Sequence, residues 1–176
     1  MPGLRAGVEE FLATLRAADP HEPVWTWAAQ KDVAFVVRHQ AQESAVHRWD
    51  SGHAVGLPVA LDATAATDSA EEFLQISTPF RRDGAEPVGG RLELVATDTG
   101  FAWAVEEGAD GVARWERLAG RPGAATGPGS SRGGTVLRAT AADLLLYLFR
   151  RRPATDLDVT GEVGVAERFA HRSPTD

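Results

Sequence analysis

Glu43 and His47 stand four residues apart in the run Gln42-Glu43-Ser44-Ala45-Val46-His47-Arg48-Trp49-Asp50. On a helix, four residues make about one turn, so both side chains project from one face. A carboxylate and an imidazole are both good donors to a divalent metal such as zinc. Asp50 follows His47 by three residues and could hold the imidazole from behind. His39 precedes Glu43 by four and lengthens the stripe to His39, Glu43, His47 and Asp50. The same spacing also occurs in plain surface pairs, which contribute little. Zinc takes three or four protein donors, so two residues are only the start of a site.

Composition narrows the chemistry. The chain has no Cys, which removes disulfides, thiolate ligands and a catalytic thiol. Any thiol chemistry must use a thiol carried by a cofactor. The formal net charge of −7 argues against a nucleic-acid partner, which favours a basic surface. The longest apolar run, Leu144 to Phe149, is far too short to span a membrane. The N-terminus holds an Arg and no apolar signal core, so a cytoplasmic location is expected. An apolar content of 43% over 176 residues is that of one globular domain or two small ones.

The stripe must be positioned by a scaffold, and the chain changes character along its length. Leu4, Val8, Phe11, Leu12 and Leu15 recur at helical spacing and predict a helix over 3–18. Pro23 to Trp27 reads as an extended link. A second helix is expected over 30–51, closed by Gly52, Gly56 and Pro58, and a third over 62–77, stopped by Pro79. Alternation then takes over. Leu92, Leu94 and Ala96 predict a half-buried strand, followed by strands over 101–105, 112–118, 135–139 and 157–160. Gly120 to Gly134, rich in Gly, Pro and Ser, reads as a mobile loop without a phosphate-loop pattern. Thr140-Ala-Ala-Asp143 reads as a capping start for a helix over 141–151, and a last helix is expected over 162–170. The fold class is α+β with a mainly antiparallel sheet, divided into a helical domain, 1–81, and a small α+β domain, 82–176.

Three stretches carry a resemblance. Glu43-Ser-Ala-Val-His47-Arg-Trp-Asp50, Pro23-Val-Trp-Thr-Trp27 and Glu71-Glu-Phe-Leu74 resemble the mycothiol-dependent maleylpyruvate isomerase family. Thr140 to Arg150, followed by Leu157-Asp-Val-Thr-Gly161, is similar to that family's C-terminal domain. The resemblance implies a DinB-like metal-binding four-helix bundle joined to a sterol-carrier-like α+β domain. It implies that Glu43 and His47 are metal ligands, that mycothiol is the thiol cofactor, and that an Arg of the C-terminal domain, here Arg150, meets an anionic cofactor. The family's third ligand is a His on an earlier helix, and no residue before Leu4 supplies one. Gln42 stands where the family carries another His.

A half-bundle exposes a wide apolar face, so a homodimer through the first two helices is expected. Two functions stay open. One is a metal-dependent, thiol-using isomerase or transferase acting on a small electrophile. The other is a non-catalytic dimeric binding or scaffold protein that has lost the metal.

Overall fold

The computed structural model describes residues 2–120 and 134–173. The Gly-rich stretch expected to be mobile lies outside the described residues, apart from its two ends. The fold is α+β: three helices, a five-stranded sheet, and two further helices set around its last strands. The chain divides into two compact units, Met1–Arg48 and Trp49–Asp176.

The first unit holds helix α1 (Pro2–Ala17) and most of α2 (Val33–Ala54). The connector doubles back through a bridge between Pro23 and Asp32. Val33 N–H donates to the Glu22 carbonyl and Ala34 N–H to that of Pro20. Asp32 then caps the helix, its Oδ1 accepting from Phe35 N–H at 2.9 Å. That bridge and cap explain why α2 begins at Val33 rather than near residue 30.

In the second unit, α3 (Ala63–Ile76) is capped by Asp62, whose side chain accepts from Ala65 N–H. It packs on α4 (Ala141–Leu148). The strands are β1 (Leu92–Ala96), β2 (Phe101–Glu107), β3 (Ala113–Gly120), β4 (Thr135–Ala139) and β5 (Asp158–Thr160). Their order is β3-β2-β1-β4-β5. Three neighbouring pairs are antiparallel, and β1 with β4 is parallel. Helix α5 (Val163–Arg172) packs against β4.

β1 is buried along its whole length, not half-buried as its alternation suggested. It is the central strand. Leu92 and Leu94 occupy one face, while Val95 joins Ala102 and Val136 in a small apolar cluster. Glu93, 4% exposed, is tolerated there because Arg91 Nε lies 3.3 Å from its carboxylate. A buried carboxylate needs such a partner.

Two polar ties hold the second unit together. Glu71 of α3 accepts from Trp103 Nε1 at 3.0 Å and from Arg117. Arg172, fully buried, donates to the carbonyls of Thr78, Phe80 and Gly111.

Two further helix ends depart from the sequence reading. α2 runs on through Gly52 to Ala54. Gly52 is needed there by a close approach, since an added Cβ would meet Val59 Cγ2 at 2.1 Å. α4 stops at Leu148, not at residue 151. Arg150 turns left-handed, at φ 60°. Its N–H donates to Tyr147 and that of Arg151 to Leu146, closing a Schellman motif.

Candidate functional site

The helix α2 delivers the pair expected of it. Glu43 Oε2 lies 3.3 Å from His47 Nε2, and the two side chains are 31% and 55% exposed. The geometry follows from local spacing alone: one turn of helix separates the residues. The pair is open to water and presents an oxygen and a nitrogen to the same region.

His39 occupies the next turn back, but its ring is set against aromatic neighbours. It stacks on Phe35 with centroids 5.6 Å apart and planes 8° from parallel. Trp27 meets both rings edge-on, at 5.5 Å from His39 and 5.9 Å from Phe35. The connector makes this possible. Thr26 Oγ1 donates to the Gln30 carbonyl at 2.6 Å, tightening the turn that carries Trp27 to α2.

Asp50, in the second unit, is engaged by Arg151 through two hydrogen bonds, Nε to Oδ1 at 3.0 Å and the guanidinium terminus to Oδ2 at 2.8 Å. Such a fork-on-carboxylate contact is among the stronger polar pairings. Gln42 is buried, and its side-chain oxygen has no hydrogen-bond partner among the described residues. Arg150 sits at the left-handed position after α4. Burial, with the charges of Arg82 and Arg151, pulls its guanidinium pKa below the ordinary value.

Residues 3–52 match the profile of the mycothiol maleylpyruvate isomerase N-terminal domain. This segment is similar to that domain, and the match covers less than a third of the chain. The match takes in α1, the connector and nearly all of α2, including Glu43 and His47. No curated protein and no solved structure matches the chain.

A catalytic zinc takes three protein donors. Among the described residues, no group of three or more His, Cys, Asp or Glu side chains could hold a metal ion. His39, on the same stripe, stacks on Phe35 and does not complete a set of three with Glu43 and His47. The described residues of one chain therefore supply a donor pair and not a complete centre.

Sequence reasoning missed the Glu71 tie. Glu71 and Glu72 are both buried on α3. Trp103 lies 32 residues away in the chain, so nothing local announces that its indole N–H meets that carboxylate.

Proposed function

We propose that the chain is a thiol-using protein of the mycothiol maleylpyruvate isomerase type, in which Glu43 and His47 are two of the donors to a divalent metal, zinc above all. The remaining donor comes from outside the described residues of one chain. One observation carries this reading: the 3.3 Å contact between Glu43 and His47 on α2, inside the segment that the domain family matches. The family's name supports mycothiol as the thiol. A bound metal would supply the Lewis acidity that lowers a thiol's pKa. The chain's own residues would hold that centre from α2, and Arg150 would offer a cation to an anionic cofactor. The substrate class is a small electrophile, and the setting is the cytoplasm, where thiols are kept reduced.

The second reading is a non-catalytic dimeric binding or scaffold protein. The packing of His39 onto Phe35, and a buried Gln42 where the family carries His, favour it.

Zinc titration separates the two. A two-donor site binds weakly, and acid competes with metal for His47. Measurable binding at pH 7.5 is expected, lost at pH 5.5 and lost in His47→Ala while the circular dichroism spectrum is unchanged. Equal zinc uptake by wild type and His47→Ala would remove the chemical basis of the first reading and leave the second.

A further inference from the structure

Within the first unit, helix α1 is not accounted for by what packs against it. Every residue from Gly3 to Ala17 is exposed except Leu15, which is half-buried. Leu4 is 69% exposed, Val8 49%, Phe11 43% and Leu12 38%. A 16-residue helix with glycines at 3 and 7 is marginal in water on its own. Helices of this length are held by an apolar face packed against something.

The face has a particular order. Leu4, Val8, Phe11 and Leu15 follow one another at four, three and four residues, which is the d-a-d-a order of a coiled-coil seam. We propose that a second copy of the chain covers this seam, with the two α1 helices running antiparallel about a two-fold axis.

The pattern selects that occupant. In an antiparallel pairing each a residue meets a d residue of the mate. Leu4 then lies opposite Leu15 of the second copy, and Val8 opposite Phe11, so the same four residues serve both sides. This is the self-complementarity that a two-fold interface requires. Charge agrees. Glu9, Glu10 and Arg16 fall at b and c positions, on the far side of the helix from the seam. The flanking e and g positions are Arg5, Gly7, Leu12 and Thr14. Coiled coils that choose an unlike partner write the choice into charged e and g residues. Here only Arg5 is charged, so nothing encodes an acidic or basic mate and nothing repels a copy. Gly7 has no atom within 4 Å of the place a Cβ would occupy, which leaves room beside the seam for a second backbone. The inference stands on α1 alone and holds whether or not Glu43 and His47 bind metal.

Light scattering at micromolar concentration is expected to give twice the chain mass of 18.8 kDa. Phe11→Glu, which places a charge in the seam, is expected to give a monomer with the second unit's circular dichroism intact. Glu10→Lys, on the far side, should remain dimeric. The chain has no Cys, so orientation can be read from disulfide trapping. A mixture of Leu4→Cys and Leu15→Cys chains should form the crossed disulfide, and Leu4→Cys alone should not link to itself. A monomeric wild type, a dimer that survives Phe11→Glu, or ready self-linking of Leu4→Cys would each overturn the proposal.

Discussion

Replacing Arg172 by Met removes the largest buried polar group of the second unit while keeping a side chain of similar length. Its guanidinium is fully buried and donates to three main-chain carbonyls, of Thr78 at 2.9 Å, Phe80 at 2.7 Å and Gly111 at 2.7 Å. Nε stands 3.8 Å from Glu107 Oε2, within ion-pair range but beyond hydrogen bonding. Glu107 keeps other partners, since its Oε2 accepts from Val88 N–H and Arg81 lies 3.7 Å from Oε1. The loss therefore falls on the carbonyls. Removing one side of a buried charged contact costs about 3–5 kcal/mol, and each carbonyl left dry costs about 1–3 kcal/mol unless water reaches it. The two estimates overlap and describe one loss, so about 4 kcal/mol is expected. A chain of this size loses about 2–4 °C in Tm per kcal/mol, giving a fall of about 8–16 °C. The melt of the second unit, followed by near-ultraviolet circular dichroism of buried Trp103, measures it. Arg172→Lys keeps the charge but not the planar fork, and should lie between the two. If Arg172→Met melts within about 3 °C of wild type, the three-carbonyl tie is not what holds α5 to the segments around Thr78 and Gly111.

Two further outcomes follow from single positions. Arg150→Gly and Arg150→Ala both delete the guanidinium, but only glycine relieves the left-handed backbone at φ 60°; the glycine variant should be more stable by about 1 kcal/mol in urea titration, and equal stability would mean that no strain resides there. Arg114 grips both carboxylate oxygens of Asp110, with help from Val112 N–H, and its pKa is lowered from 3.8 to about 2. A depressed carboxyl pKa favours the folded state above the ordinary value, and that contribution fades as pH falls through about 2. Carboxyl NMR should find Asp110 still charged at pH 3 and returned toward 3.8 in Arg114→Ala; an unshifted titration in wild type would refute the pairing.

What could be read from the sequence was local. Thr140 caps α4 as its capping pattern predicts, with Oγ1 accepting from Asp143 N–H at 3.1 Å. The apolar spacing of Leu4 to Leu15 gives α1 to within a residue or two. The misread positions were decided by neighbours distant in sequence. β1 alternates like a half-buried strand, but its place between β2 and β4 covers both faces. Gly52 looks like a stop signal and is instead a contact point for Val59. Arg150 falls inside the helix expected over 141–151, and nothing in the sequence announces that it would take the left-handed position usually given to glycine.

The candidate site divides along the same line. Glu43 and His47 meet because a helix brings residues four apart together, whatever surrounds them. The other residues of the stripe obey the same periodicity, but longer-range partners reach them. Trp27 arrives at His39 only because the connector folds back through the Pro23–Asp32 bridge. Arg151 reaches Asp50 from 101 residues away in the chain. A metal centre differs from a donor pair in that it fixes three directions at once, and one helix face supplies directions along a single line. A stripe of ligand-type residues therefore offers directions along one line only, and a third donor has to be sought on whatever packs against it. For this chain that makes the mate of α1 and the zinc affinity of His47 separate questions, each with its own measurement. A dimer that binds no zinc would mark α2 as a fold element kept without its metal. A chain that binds zinc only when dimeric would place the missing donor on the second copy.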